Sequence, residues 1–275
     1  HTLGVIPTPA VALITTRCGA AAGVVISASH NPYEYNGIKF FGPDGSKLPD
    51  EMENRIEEII QRDGPLPVLS GDKIGVTYDA RHAMEAYIRY LVSTVKGEPH
   101  DLRVLVDCAN GAASVTAQRL LNRYDMEVTY IHYKPNGLNI NDHCGSTHLS
   151  VLSEQVKQGC YDVGIAFDGD ADRCLAVDEN GNEIDGDAIM ALIASAMEEA
   201  GDLLNDGFVA TVMSNIGLHK YAQKKGFRVL TADVGDRNVR EMMVKEDMVL
   251  GGEQSGHIIL MNHMPTGDGQ LTALH

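Results

Sequence analysis

The chain is poor in basic residues, and this deficit narrows the range of its partners. Its 275 residues include 22 lysines and arginines against 38 aspartates and glutamates, which gives a formal net charge of −16. No run of lysine or arginine is long enough to follow a phosphate backbone. The composition therefore argues against a nucleic-acid partner.

Cysteines are few, and long apolar segments are missing. The five cysteines are scattered, odd in number and without the paired spacing of a metal site, so we expect a reduced compartment and no catalytic thiol. No apolar stretch approaches the roughly 20 residues that span a bilayer, and the first residues lack the regions of a signal peptide. The sequence thus predicts a soluble, cytoplasmic protein without a membrane partner.

Short β-type runs alternate with helical patterns, which predicts an α/β protein with mainly parallel sheets. The helical patterns cover 50–62, with Asp50 and Glu53 as a capping pair, and 188–200 and 216–225. Three successive α/β units of similar size are compatible with diverged copies of one domain. The predicted strands lie at 24–26, 104–106, 128–131, 163–167, 208–212, 227–230 and 248–250.

Two breaks in this pattern predict domain boundaries. Gly64-Pro65-Leu66-Pro67 and Ser70-Gly71-Asp72 precede a helical stretch at about 79–95. The turn Glu179-Asn180-Gly181-Asn182 is followed by Asp185-Gly186-Asp187, which leads into a new helix. We therefore predict domains at 1–78, 79–185 and 186–275.

Three carboxylates stand at alternate positions directly after a predicted strand. Asp168, Asp170 and Asp172 follow the apolar run 163–166, and extended backbone points alternate side chains the same way. Clustered carboxylates repel one another unless a cation lies between them, and oxygen ligands suit Mg²⁺. The segment therefore predicts a metal loop at a strand end, beside which Arg173 is suited to bind phosphate.

Two other interpretations of this loop stay open. The positions of Asp168, Asp170, Asp172 and Glu179 match a calcium loop of the EF-hand type, but Arg173 occupies the position where that loop needs glycine. The segment before the loop is also of β type rather than helical. A solvated acidic turn is the other alternative.

A small-residue turn after the first predicted strand presents a candidate reactive hydroxyl. In Ser27-Ala28-Ser29-His30-Asn31-Pro32, the turn raises Ser29 at the carboxyl edge of the sheet, where α/β proteins bind ligands. Asn36-Gly37 can fold the chain back so that Lys39 approaches Ser29 as a proton-transfer partner or phosphate ligand. A hydrogen-bonded turn and a surface lysine are the alternatives.

A glycine-rich polar loop, Gly251-Gly252-Glu253-Gln254-Ser255-Gly256-His257, lies between two apolar runs. Its glycines permit a close approach of backbone to a ligand. Glu253 and Ser255 suit sugar hydroxyls, and His257 suits a phosphate near neutral pH. The loop predicts sugar recognition, although many such loops only turn the chain.

The order and spacing of these three segments resemble the α-D-phosphohexomutase superfamily. Ser29-His30-Asn31-Pro32 corresponds to its phosphoserine loop, 168–173 to its metal loop and 253–257 to its sugar loop. Gly145-Ser146-Thr147-His148 and the variant Gln254 favour the bacterial phosphoglucosamine mutase branch over phosphomannomutase and phosphoglucomutase. His143 and Asn238 depart from the family pattern, in which glycine and tyrosine are expected.

The resemblance implies successive, similar three-layer α/β domains with mixed, mainly parallel sheets. It covers essentially the whole chain but only part of a four-domain architecture. On this comparison the first domain lacks its N-terminal strand and a phosphate-facing arginine, the chain stops within the third domain, and the fourth domain is absent.

The resemblance also implies a reaction and a set of roles. Glucosamine 6-phosphate and glucosamine 1-phosphate are interconverted through a 1,6-bisphosphate and a phosphorylated Ser29, for amino-sugar nucleotide and cell-wall precursor synthesis. Mg²⁺ is held by Ser29 and the three aspartates. Assembly as a homodimer is compatible with the resemblance. Lys39, its pKa lowered by the nearby cation, handles the sugar hydroxyl proton. The remaining implied roles are phosphoryl contacts for His30 and Arg173 and substrate contacts for Glu253, Ser255, His257 and Arg237.

Two alternatives from other classes accompany this hypothesis. A phosphatase of the haloacid dehalogenase type would use Asp168 as nucleophile and Asp170 as acid, but it predicts threonine or valine where the chain has Asp172. A fragment that binds Mg²⁺ and sugar phosphate without turnover is the second alternative.

Overall fold

The computed structural model describes residues 1–62, 64, 68–97 and 99–275. Within these residues the named strands form three sheets, and helices are interspersed along the chain, which confirms the predicted α/β fold class. The strands are β1 Gly23–Ser27, β2 Gly37–Phe41, β3 His100–Asp107, β4 Asp125–Ile131, β5 Val163–Phe167, β6 Cys174–Asp178, β7 Glu183–Ile184, β8 Gly207–Thr211, β9 Arg228–Ala232, β10 Leu250–Gly252 and β11 Ile258–Leu260. The helices are α1 Thr8–Arg17, α2 Asp50–Gln61, α3 Met84–Thr94, α4 Ala113–Leu121, α5 Ser150–Gly159, α6 Gly186–Ala200, α7 Ile216–Lys225, α8 Asp236–Lys245 and α9 Gly269–Leu274.

The first sheet is an antiparallel pair of β1 and β2. Ser27 is opposite Gly37 and Val25 is opposite Lys39. The chain does fold back on itself, but it reverses over residues 28–36 rather than at Asn36-Gly37, because Asn36 is extended and Gly37 already belongs to β2. Helix α1 packs on this pair, and Val25 and Phe41 are buried there. The pairing brings the Ser29 turn and Lys39 to the same end of the molecule's first part.

The second sheet has the order β4-β3-β5-β6-β7. Strand β3 runs parallel to β4 and β5, whereas β6 and β7 are antiparallel additions. The inner strands β3 and β5 are apolar because helices cover them: α4 lies with Val104 and Val106 in one buried cluster, and α5 lies with Leu105 in another. The segment 168–172 therefore leaves the carboxyl end of a buried strand.

The third sheet has the order β11-β10-β8-β9. Strand β8 is parallel to both β9 and β10, and β11 is antiparallel to β10. The turn between β10 and β11 contains Glu253 and Ser255, so the glycine-rich loop joins the inner strand β10 to the edge strand β11.

Several predicted elements differ in detail from the observed ones. Helix α2 begins after Pro49, and no side chain caps its N-terminus, so the predicted capping pair of Asp50 and Glu53 is wrong. Pro49 itself occupies the N-cap position, and its side chain has no oxygen that could accept from a helix amide. The strand predicted at 248–250 is shifted to Leu250–Gly252, because the pairing with β11 extends into the glycines.

The predicted boundaries 1–78, 79–185 and 186–275 remain predictions. Part of the first break, at Pro65, Leu66 and Pro67, lies outside the described residues. At the second break, Asp178 and Asn182 close a hairpin between β6 and β7, and α6 begins soon afterwards at Gly186. In the part of the chain that the structure describes, none of the helices is long and apolar enough to cross a bilayer.

A buried carboxylate joins α3 to the start of α9. Asp268 is fully buried; it caps α9 by accepting from the amides of Gln270 and Leu271, and it accepts from the hydroxyl of Tyr87 at 3.0 Å. Burial outweighs these hydrogen bonds and raises the pKa of Asp268 to about 7. The folded chain therefore binds a proton here that the unfolded chain releases at lower pH.

We expect this proton to make stability fall as pH rises from about 4 to about 7, because the folded pKa lies above the unfolded one. The lost stability is on the order of 4 kcal/mol at pH 8, at about 1.4 kcal/mol per pKa unit. Asp268→Asn keeps the cap and removes the ionisation, so its unfolding free energy should gain on that of wild type between pH 5 and pH 8. Urea unfolding at both values tests this, with Asp72→Asn, at an exposed site, as control. Parallel pH curves for Asp268→Asn and wild type would contradict it.

Candidate active site

Three buried carboxylates converge in the loop after β5. One ligand oxygen from each of Asp168, Asp170 and Asp172 lies within 4.8 Å of the other two. The three residues are between 0% and 4% exposed, which rules out a solvated acidic turn. The three carboxylates thus converge as predicted from their alternate spacing, even though the segment is a turn and not a continued strand.

The ammonium of Lys39 compensates part of this negative charge. Its Nζ donates to Asp170 Oδ2 at 2.6 Å and to Asp172 Oδ2 at 2.9 Å. The Thr8 hydroxyl, at the start of α1, also donates to Asp170 Oδ2, at 2.5 Å. The first part of the chain therefore supplies both a cation and a hydroxyl to the acidic loop of the second.

The charges of the cluster shift its pKa values in opposite directions. Burial, with the charges of Asp172 and Asp170, raises the pKa of Asp168 well above its usual range. Burial also opposes ionisation of Asp172, but Lys39 and then His257 outweigh it and lower the pKa of that carboxyl. For Lys39, burial is opposed and exceeded by Asp172 and Asp170, so its pKa is raised. A lowered pKa of Lys39 beside a bound divalent cation stays a prediction, because the lysine is here itself the cation between the carboxylates.

The donor set fits a hard divalent cation. Among the described residues, one buried oxygen of each aspartate has no hydrogen-bond partner: Asp168 Oδ2, Asp170 Oδ1 and Asp172 Oδ1. Unpaired buried carboxylate oxygens are costly, and three of them in one cluster are typical of a cation site with oxygen ligands. The EF-hand alternative fails on geometry as well, because Glu179 lies in the exposed turn after β6.

The Ser29 turn packs against this acidic loop. The Ser29 carbonyl accepts from the Gly169 amide at 3.1 Å and from Asn141 Nδ2 at 2.8 Å, and the Ser29 amide donates to Ser27 Oγ at 2.8 Å. Ser29 has φ +53°, in the left-handed region that non-glycine residues rarely adopt. Its backbone is therefore held by neighbours on both sides, next to the three aspartates.

Two further basic residues border the cluster with unused donors. His30 Nδ1 and Arg173 Nε are buried and have no hydrogen-bond partner among the described residues. Burial, followed by the charge of Arg173, lowers the pKa of His30, although Asp172 and Asp170 act in the opposite direction. A phosphoryl group bound in the site would give both buried nitrogens a hydrogen-bond partner.

The glycine-rich loop lies on the first turn of α6. The amide of Gly186 donates to the Gln254 carbonyl at 2.9 Å, and Gln254 Nε2 donates to Asp185 Oδ2 at 3.0 Å. A Cβ atom at Gly186 would lie 2.1 Å from the Glu253 carbonyl oxygen. The helix start thus sets the position of the loop.

Within this loop, His257 alone reaches the acidic cluster. It is 3% exposed, with Nδ1 3.7 Å from Asp172 Oδ1 and Nε2 3.6 Å from Asp236 Oδ2. Its Nε2 accepts from the Gly267 amide. Glu253 accepts from the Gly235 amide at 3.1 Å and is half-buried, as is Ser255.

Arg237 is engaged with α2 rather than with the glycine-rich loop. Its Nη2 donates to the Leu48 carbonyl at 2.7 Å and lies 3.3 Å from Glu53, and Nη1 contacts Asp50. A cavity of about 360 Å³ separates these residues from Lys39. A second cavity of about 1160 Å³, mostly apolar, lies against β1 and reaches Asp170.

Sequence reasoning missed three residues of this site: Thr8, Asn141 and Asp236. Thr8 and Asn141 carry no motif, because their partners lie 162 and 112 positions away along the chain. Asp236 stands next to Arg237, and its ion pair with Lys47 joins the first and third parts of the chain. Only the tertiary contacts single them out.

Comparison with known proteins agrees with this geometry. Three models of the phosphoglucomutase/phosphomannomutase α/β/α domains match the chain: domain I at residues 1–66, domain II at 85–181 and domain III at 185–275. The chain belongs to the phosphoglucomutase/phosphomannomutase family.

Curated members of this family include phosphoglucosamine mutases similar to the chain. The one from Ruminiclostridium cellulolyticum is 52% identical over 99% of the chain and 61% of its own length. The one from Desulforamulus reducens is 49% identical over 100% of the chain and 62% of its own length. The chain therefore spans about three fifths of these relatives.

Solved phosphohexomutases share the fold. A phosphoglucomutase/phosphomannomutase family protein from Burkholderia thailandensis superimposes with a TM-score of 0.81 at 24% identity, over 99% of this chain and 60% of that one. The N-acetylphosphoglucosamine mutase of Aspergillus fumigatus, solved with GlcNAc-6P and magnesium, gives 0.71 at 18% identity, over 97% and 72%. At these identities the likeness shows the phosphohexomutase fold alone.

Gly169 is the point at which the two loops touch, and a side chain there should separate them. A Cβ atom would lie 2.4 Å from the Ser29 carbonyl oxygen and 2.6 Å from Ile140 Cδ1. Gly169→Ala should therefore lower the unfolding free energy by about 1–3 kcal/mol, measured by urea unfolding. Gly75→Ala is the matched control, since a Cβ there meets nothing within 4 Å. Equal effects of the two substitutions would contradict the close approach.

Proposed function

We propose that this chain carries the phosphoserine, metal and sugar-recognition parts of a phosphoglucosamine mutase, which interconverts glucosamine 6-phosphate and glucosamine 1-phosphate. One observation carries the proposal: the turn of Ser29 is hydrogen-bonded to a loop whose three buried carboxylates each have an unpaired oxygen among the described residues. A hydroxyl beside a cation site is what a phosphoryl carrier needs. The similarity to curated phosphoglucosamine mutases supports this choice of substrate.

The proposed reaction is a phosphoryl relay through Ser29. Phosphorylated Ser29 transfers its phosphoryl group to a sugar hydroxyl; the P–Oγ bond breaks and a new P–O bond forms at the sugar. The bisphosphate then turns over, and the phosphoryl group at the other position passes back to Ser29 Oγ. Such transfers depend on positioning and charge neutralisation more than on covalent chemistry.

The basic residues around Ser29 have complementary roles in this proposal. Lys39 would handle the proton of the sugar hydroxyl only after leaving Asp170 and Asp172, which hold it here as the charged ammonium. His30 and Arg173 bind the phosphoryl oxygens with their free buried donors. The guanidinium charge of Arg173 offsets the charge that develops on the transferring group, and His30, whose pKa is lowered, contributes a hydrogen bond.

Asp168, Asp170 and Asp172 would hold Mg²⁺ together with an oxygen of the phosphorylated Ser29. The ion, when bound, supplies a Lewis acid that polarises the phosphoryl group. Magnesium in the Aspergillus fumigatus relative supports this choice of metal.

The glycine-rich loop supplies the sugar contacts in this proposal. Glu253 and Ser255, half-buried at the turn between β10 and β11, bind sugar hydroxyls. His257 serves the phosphate side from its buried position beside Asp172. Arg237 would join them only after leaving its carboxylate partners on α2.

Two further expectations stay predictions: location in the cytoplasm, where sugar phosphates are metabolised, and assembly as a homodimer.

Phosphorylation of Ser29 tests the proposal directly. We expect incubation with glucosamine 1,6-bisphosphate and Mg²⁺ to add one phosphoryl group, which peptide mass spectrometry locates on Ser29. Ser29→Ala should abolish it, Asp170→Asn should slow it on the order of 100-fold or more, and Ser70→Ala, an exposed serine, should leave it unchanged.

Three outcomes would separate the alternatives. Equal or faster labelling from glucose or mannose 1,6-bisphosphate would favour phosphoglucomutase or phosphomannomutase. Binding of the sugar phosphate without any labelling would favour a non-catalytic fragment. Phosphatase activity that survives Ser29→Ala but is lost in Asp168→Asn would favour the dehalogenase-type mechanism.

The competition between Lys39 and a divalent cation gives a second test. Without divalent ions, Lys39→Met should destabilise the chain by about 3–5 kcal/mol, because buried carboxylates lose their positive partner. Millimolar Mg²⁺ should then raise the melting temperature of Lys39→Met more than that of wild type. Lys73→Met, at an exposed site, is the control. Equal shifts in both proteins would contradict a competition between Lys39 and the cation.

A further inference from the structure

Beyond the roles above, one side chain from the second part of the chain holds the backbone of the Ser29 turn. The Asn141 amide nitrogen donates to the Ser29 carbonyl and to the Asn31 carbonyl, both at 2.8 Å. These two carbonyls flank His30, so both N–H bonds of one amide span the reactive turn. A carbonyl only accepts hydrogen bonds, which identifies the atom facing the turn as nitrogen.

We infer that Asn141 is a positioning residue for phosphoryl transfer at Ser29, an inference that rests on the proposed function. Ser29 has a left-handed backbone conformation, which persists only where the surroundings over-determine it. Its carbonyl accepts from Asn141 and from the Gly169 amide, so the same oxygen is tied to the acidic loop and to Asn141. The direction of the Ser29 side chain relative to the three aspartates thus depends on these two bonds.

Asn141 is itself held firmly. Asn141 is 7% exposed, and its backbone N–H donates to the Ala109 carbonyl at 2.9 Å. The loop of Ala109 is fastened by the fully buried carboxylate of Asp107, which accepts from the amides of Ala109 and Gly145 and from the ring of His132, each at 2.9 Å. The buried and hydrogen-bonded surroundings therefore restrict the position of the Asn141 side chain.

The Asp107 group also has the spacing of a metal site. Ligand atoms of Asp107, His132 and Cys144 lie within 4.8 Å of one another. Both oxygens of Asp107 already accept hydrogen bonds, and burial raises the pKa of the Cys144 thiol to about 12. We therefore interpret this group as the support of Asn141 and not as a second cation site.

The inference separates positioning from ligand binding. Asn141 touches the backbone of the turn, so its loss should misdirect the Ser29 hydroxyl without removing any donor from the bound sugar phosphate. We expect Asn141→Asp, which turns two attractive contacts into repulsive ones, and Asn141→Gly, which tolerates the φ of +55°, to slow phosphorylation of Ser29 on the order of 10- to 100-fold. The bisphosphate concentration that gives half of the maximal rate should stay within about twofold of wild type.

The experiment uses the 275-residue chain and two readouts. The first is the rate of Ser29 labelling against the concentration of glucosamine 1,6-bisphosphate, at a temperature where circular dichroism shows each variant folded. The second is hydrogen–deuterium exchange of peptides that cover residues 27–32, which needs no activity. Exchange there should become roughly tenfold faster in both variants, because the turn loses two hydrogen bonds. Asn136→Asp, the same change at an exposed loop asparagine whose oxygen accepts from the Leu138 amide, should alter neither readout.

The two readouts distinguish the inference from the proposed function. Slower labelling with an unchanged half-saturating concentration and faster exchange would establish the positioning role. Unchanged labelling, or unchanged exchange at residues 27–32, would overturn it. If wild type is never labelled while exchange still rises in both variants, the proposed function fails, and the role of Asn141 in holding the turn survives.

Discussion

Mutual repulsion of three buried carboxylates is the constraint around which this structure is organised. Asp168, Asp170 and Asp172 cannot all be charged in a buried loop unless positive or donating groups surround them. The chain provides Lys39 and Thr8 from its first part and His257 from its third. The electrostatic demand of one loop thus brings together segments that are far apart in sequence, and the divalent cation proposed for the remaining oxygens would complete it.

The loops that carry these groups follow the carboxyl ends of strands. The acidic loop leaves the buried strand β5, and the Ser29 turn leaves β1, so each loop starts from a rigid element. Glycine at 169 allows the two loops to touch through backbone atoms, and the side-chain amide of Asn141 holds two carbonyls of the Ser29 turn. Reactive groups on loops with such support are pre-organised, which phosphoryl transfer requires.

Contacts between the first and third parts of the chain are of a different kind. Lys47 pairs with Asp236, and Arg237 pairs with Asp50 and Glu53; most of these groups are partly exposed. Ion pairs of this kind are weak individually and can exchange partners. In the proposed function, the buried side would hold the phosphoryl group, and the partly exposed side would admit and release the sugar.

Local pattern was enough to identify the α/β class, most strands and the convergence of the three aspartates, because each depends on spacing between near neighbours. Asp168, Asp170 and Asp172 are alternate residues, and Ser29 and Lys39 belong to one hairpin, in its connection and in its second strand. Pattern failed at the start of α2, where Pro49 replaces the expected cap. It could not find Thr8 or Asn141, nor the contacts of Lys39 with Asp170 and Asp172. These contacts join residues that lie more than 100 positions apart in the sequence. Folding alone decides such contacts, since burial and charge at a site depend on which distant segments surround it.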